Sequence, residues 1–209
     1  MSGRTLTLAA IALALLLGAC VPPPPPVLPL DLTFRSIRIV EARAHPIYAN
    51  WTKAPPLTQL IEIDFSSGED FVAYASYAVQ PFIRADLYRC NAEQNYDLVL
   101  RPFGGHVFWD NLALENLTVI APDDAELRGL REHGPPYFYR SFLQIAATGA
   151  PAYDLLRQPE GLCLQLAFTD LKGSPQRSNL VFIPQDTLTA AFLAGDLIPG
   201  RDYRGPNLP

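Results

Sequence analysis

Short stretches in which apolar and polar residues alternate recur along most of the chain. Ile61, Ile63 and Phe65 alternate with Glu62 and Asp64, the pattern of a strand with one buried face. Residues 66–70 then read as a turn and 71–79 as a second strand, which together predict a hairpin with a five-residue loop. Further strand signals lie at 32–40, 82–90, 96–100, 106–109, 117–120 and 162–169. Residues 179–183 are expected to pair with the strand before them, and 141–147 fit either strand or helix. Two short helices are predicted. One spans 123–132, with Asp123 as cap and Glu126 three residues on, and the other spans 187–194, capped by Asp186 and stopped by Gly195. The tail from Pro199 has no regular pattern.

Many short strands between turn signals, without regular β–α alternation, predict a mainly β domain: an antiparallel sandwich or barrel-like fold with one or two short helices. Composition sharpens this. The 21 prolines in 209 residues argue against a helical bundle, because proline breaks helix interiors. A hydrophobic fraction of 49% is enough for a real core. A formal charge of −5 disfavours nucleic-acid binding, which needs a basic face.

The N-terminus carries the most specific motif. Arg4 supplies a positive start, residues 5–17 form an uncharged apolar run, and Leu17-Gly18-Ala19-Cys20 closes it with small residues on a cysteine. The run is shorter than the roughly 20 residues of a membrane-spanning helix and suits an export signal. It resembles the lipobox signal of bacterial lipoproteins, a likeness confined to the first 20 residues. The resemblance implies cleavage after residue 19 and a covalent lipid on Cys20, the attachment to the membrane. Val21 in place of aspartate implies the outer membrane, with the domain facing the periplasm. Pro22 to Pro26 and Pro29 then favour polyproline II, a semi-rigid spacer or a ligand for a proline-recognising domain. The expected organisation is signal peptide 1–19, lipidated cysteine and spacer 20–30, and one β-rich domain 31–209.

Cys90 and Cys163 remain once Cys20 is assigned to lipid. Outside the cytosol an even pair reads first as a disulfide. Closing a loop of about 73 residues would stabilise the fold by about 4 kcal/mol on the chain-entropy model. A redox or metal-binding pair is the alternative, but no Cys-x-x-Cys or zinc-like spacing supports it.

Catalytic signals are sparse. The chain has no nucleophile elbow, phosphate loop or dinucleotide fingerprint. His106 and Asp110 are four apart and would share a strand face, but two groups complete neither a metal nor an acid–base site. His45 precedes a proline, and His133 falls at a predicted helix end. The acidic runs at 66–70 and 123–126 read as a turn and a helix start rather than a calcium loop. No catalytic residue, metal or cofactor beyond the lipid is therefore expected.

Aromatic residues among proline and glycine signals stand out instead. Tyr48 and Trp51 lie in one such segment, Tyr137, Phe138, Tyr139 and Arg140 in a second, and Phe108 and Trp109 in a third. Aromatics and arginine are enriched at binding hot spots, although such rings also pack beneath loops. The leading expectation is a non-catalytic lipoprotein that docks another envelope protein through Tyr48, Trp51, Tyr137, Phe138, Tyr139 and Arg140. A carrier of a small hydrophobic ligand is the alternative, and a hydrolase using His106 and Asp110 a third.

Overall fold

The computed structural model describes residues 31–44, 59–71, 83–94, 96–100, 108–109, 112–113, 134–147, 152–169 and 175–205. Among these are strands β1 (Leu32–Glu41), β2 (Gln59–Ser67), β3 (Ile83–Cys90), β4 (Tyr96–Leu100), β5 (Phe108–Trp109) and β6 (Leu112–Ala113). There follow β7 (Tyr137–Gln144), β8 (Ala146–Ala147), β9 (Tyr153–Asp154), β10 (Leu162–Thr169), β11 (Pro175–Arg177) and β12 (Val181–Ile183), and then helix α1 (Gln185–Ala194). The first sheet runs β1-β2-β7-β5-β6 and the second β11-β10-β3-β4, with β12 also on β10. Their pairings are antiparallel, and the sheets do not close into a barrel. The predicted mainly β, sandwich-like architecture with a short helix is what the chain adopts.

Alternation decides which side chains enter the core. Ile61, Ile63 and Phe65 of β2 and Leu143 of β7 meet Ala85 and Leu87 of β3 and Leu162, Leu164 and Leu166 of β10 in one buried cluster. Each large apolar side chain so buried contributes about 1.5–3 kcal/mol, so this shared interior is the main stabilising term. Of the hairpin predicted between 61–65 and 71–79, residues 72–79 lie outside the described residues. Both edges of β2 are taken along its length, by β1 on one side and β7 on the other. Phe71 turns into the core.

The edge of the second sheet beside β10 is broken. β12 pairs with Leu162–Leu164, β11 pairs with Ala167–Thr169, and residues 178–180 interrupt them. Ser178 repairs part of the gap: its N–H donates to Leu166 O at 3.0 Å, and its Oγ accepts from Leu166 N–H at 2.8 Å. Asn179 uses the break to reach the other sheet. Its Oδ1 accepts from Leu32 N–H at 2.7 Å and its Nδ2 donates to Leu32 O at 3.0 Å. A side-chain amide thus stands in for a neighbouring strand at the start of β1.

Cys90 and Cys163 form the expected disulfide, with Cα atoms 5.7 Å apart. It lies within the second sheet, joining adjacent strands β3 and β10 rather than the two layers. Cys90 N–H donates to Gly161 O at 2.9 Å. A Cβ at Gly161 would stand 2.5 Å from Cys90 O and 2.7 Å from the Phe182 ring, so only glycine fits beneath that ring.

Helix α1 begins two residues earlier than predicted. Pro184 is the cap residue and accepts Leu188 N–H at 3.2 Å, while Asp186 lies in the first turn and accepts Thr187 N–H at 2.8 Å. Leu188, Ala191 and Phe192 are buried. At its end, a Cβ on Gly195 would fall 2.6 Å from Ile39 Cβ, so glycine is required by packing against β1. The left-handed residue is the next one, Asp196, at φ 58°. Leu197 N–H donates to Phe192 O at 2.9 Å and Asp196 N–H to Leu193 O at 3.2 Å, closing the helix in a Schellman motif.

Asn179→Ala is expected to cost about 2 kcal/mol, because both backbone groups of buried Leu32 lose their partner. Asn179→Asp, which keeps the acceptor and loses the donor, should cost less than Asn179→Ala. Urea unfolding followed by tryptophan fluorescence measures both, and an unchanged midpoint for Asn179→Ala would assign the sheet–sheet junction to the core alone.

Candidate docking site

Residues 137–140 are not a loop. They open β7, and strand alternation divides the four predicted contact residues between two faces. Tyr137 packs against the core from a partly buried position. Tyr139 is a core residue, 2% exposed, which removes it from the docking surface. Its ring lies against Phe65, with centroids 5.9 Å apart, and against Phe71 at 4.5 Å. Its hydroxyl donates to Glu69 O at 2.8 Å and accepts from Phe71 N–H at 3.0 Å. Burial raises the Tyr139 pKa well above the ordinary tyrosine range, against the smaller opposing effect of the Phe71 hydrogen bond.

Phe138 and Arg140 point the other way, onto the outer face of the first sheet. Phe138 is 54% exposed, one of three large hydrophobic side chains standing in solvent among the described residues. It does not stand alone. The Arg35 guanidinium lies over its ring, 5.5 Å from the centroid. Arg35 gains this position from a bulge: the pairing of β1 with β2 passes from Phe34↔Phe65 to Ser36↔Asp64, leaving Arg35 as the extra residue. A bulge re-aims a side chain in this way.

The neighbouring positions are charged and fixed in place. Arg38 Nε donates to Glu62 Oε1 at 2.9 Å, and Arg38 Nη2 makes a second, shorter contact with the same oxygen. Glu62, which the alternation placed in solvent, is 1% exposed. A buried carboxylate requires a partner, and Arg38 is that partner. The Glu62 hydrogen bond in turn raises the Arg38 pKa. Ser36 Oγ donates to Asp64 Oδ2 at 2.7 Å, and Arg140 sits opposite Asp64 in the register. Arg35, Ser36, Arg38, Asp64, Phe138 and Arg140 together border a shallow depression of about 340 Å³. With Glu62 beneath Arg38 counted, three guanidiniums face two carboxylates, an excess of one positive charge.

The arginines of β1 were not singled out in the sequence. The alternation itself carried the signal: Leu32 and Phe34 are even-numbered, Ile37 and Ile39 odd, and the phase changes across the adjacent polar pair Arg35 and Ser36, where the pairing with β2 places the extra residue. Tyr48, Trp51, His45, His106, Asp110, His133 and Cys20 lie outside the described residues, as does the predicted helix at 123–132. Phe108 and Trp109 form β5, and Phe108 pairs with Arg140. Among the described residues, no group of three His, Cys, Asp or Glu is placed to hold a metal ion. No known protein family, curated protein or solved structure matches this chain.

Tyr139→Phe should lower stability at pH 7 by about 1–2 kcal/mol, since Phe71 N–H loses its acceptor. The raised pKa also sets a sign. The protonated phenol is favoured in the fold, so its contribution is intact below the ordinary tyrosine pKa of about 10 and is lost as pH rises above it. Urea unfolding at pH 7 and pH 11 should therefore show a smaller alkaline loss for Tyr139→Phe than for the wild type. An equal loss would mean that Tyr139 does not govern alkaline stability.

Proposed function

We propose that this chain is a lipid-anchored cell-envelope protein that docks another envelope protein without catalysing a reaction. The observation that carries the docking reading is Phe138, exposed at 54% and covered on one side by the Arg35 guanidinium. Solvent does not favour such an arrangement. A partner that covers the ring removes apolar surface from water and meets an arginine already held in position, which limits the entropy lost on binding. Arg38 and Arg140 extend the positive rim, so the matching partner surface carries a carboxylate beside an apolar side chain.

Attachment rests on the first 20 residues. Lipid on Cys20 would confine the domain to the outer membrane on its periplasmic side, and the proline-rich segment would hold the domain off the headgroups. Confinement to a surface raises the effective concentration of a partner on the same surface. The acidic balance of the chain gives little attraction to anionic lipid, which leaves the acyl chains to hold it there.

In-cell crosslinking followed by affinity purification of a C-terminally tagged chain tests the docking role. Arg35→Ala combined with Phe138→Ala should leave the thermal unfolding temperature within a few degrees of wild type and reduce partner capture about 30-fold, the size of a hot-spot loss. Undiminished capture by the folded double variant would refute the assignment, and a co-purified small molecule in place of a protein would favour a carrier. Cys20→Ala should move the protein from the membrane to the soluble fraction of the envelope. Retention of that variant on membranes would rule out the lipid as its anchor.

A further inference from the structure

The far end of β1 from Leu32 borders a second and larger cavity, a cleft of about 1030 Å³. Four segments distant in sequence build it: residues 41–43 at the end of β1, Gln59 at the start of β2, Leu156 and Arg157 after β9, and the tail 196–205. The tail is strapped in place at several points. Gly200 N–H donates to Leu156 O at 2.8 Å and Tyr203 N–H to Asp154 Oδ2 at 2.9 Å. The Tyr203 hydroxyl accepts from Gln59 N–H at 3.0 Å and donates to Gln59 O at 3.3 Å. Asp154 Oδ1 accepts from Leu156 N–H at 3.0 Å and Arg157 N–H at 3.1 Å, holding the opposite wall. The cleft is thus formed before any ligand arrives.

Its lining carries an excess of one positive charge in a chain whose formal charge is −5. Arg43, Arg157, Arg201 and Arg204 line it, against Glu41, Asp196 and Asp202. Arg157 and Asp202 neutralise one another at 3.3 Å. Among the described residues, Arg43, Arg201 and Arg204 have no carboxylate partner. Guanidiniums not held in an ion pair around a preformed cavity are the usual means of holding a carboxylate or phosphate through paired N–H donors. Ile198, 52% exposed, adds an apolar wall beside them.

We propose that this cleft is a binding site for a small anion, a phosphate ester or carboxylate, whose apolar body lies on Ile198. The site is separate from the Phe138 face and does not depend on the docking role.

The test is titration calorimetry of the full chain in a neutral detergent, with phenyl phosphate as probe. Phenyl glucoside serves as the uncharged control and inorganic phosphate as the head without an apolar body. Phenyl phosphate should bind, weaken at higher salt, and lose about tenfold in affinity in Arg201→Ala with Arg204→Ala. Ile198→Ser should bring phenyl phosphate towards the weaker affinity of inorganic phosphate, while circular-dichroism melting shows both variants folded. Binding of phenyl glucoside as tight as that of phenyl phosphate would overturn the proposal, as would unchanged affinity in the double arginine variant. Inorganic phosphate binding as tightly as phenyl phosphate would overturn the apolar half of it.

Discussion

A single carboxamide sets the geometry at the edge where the two sheets meet. Among the described residues the sheets share no backbone ladder, and their common interior is apolar and non-directional. Burial supplies most of the free energy but fixes no register. The Asn179 side chain supplies direction, because both backbone polar groups of Leu32 are satisfied by one rigid amide. The first residue of β1 is thereby tied to the break between β11 and β12. The bulge that follows lies only three residues further on, so the position of Arg35 above Phe138 inherits this constraint.

The remaining polar contacts serve a comparable purpose. Tyr139 ties the turn after β2 to β7 from inside the core, and Tyr203 ties the tail to the start of β2 from outside it. Each phenol satisfies backbone groups that no strand or helix partner reaches. The disulfide acts differently. It joins two strands that already share a ladder, so it guards the second sheet against opening and adds nothing to the spacing of the layers.

Much of the architecture was legible because its signals are local. The period-two pattern at 61–65 and 162–169 and the strand-forming residues at 82–90 placed those strands, and two cysteines left for an oxidising compartment pointed to the bridge. The errors came where long-range pairing decides. Residues 66–70 look like a hairpin turn, but β2 already has partners on both edges, and neither is its successor in sequence. Gly195 looks like the left-handed stop of a helix, but its lack of a side chain answers to Ile39, and Asp196 takes the unusual backbone angle. The proline and glycine signals before Tyr137 suggest a loop, but residues 137–144 form a strand. As a strand the segment sends half of its side chains inward, and only Phe138 and Arg140 remain on the outer face. The arginine cleft escaped notice because residues 43, 157 and 201 lie far apart in the chain, and only the folded tail unites them.

The bulge at Arg35 has an implication for descent. An extra residue in one strand is a difference of length, and loss of a single codon between Phe34 and Ser36 would restore an even ladder on both sides of it. The core positions Ile37 and Ile39 would stay opposite Ile63 and Ile61, while the cation above Phe138 would disappear. Chains of this architecture would therefore gain or lose that surface by insertion and deletion as readily as by substitution. A gap in one column of an alignment would then carry more functional meaning than many changes of residue type.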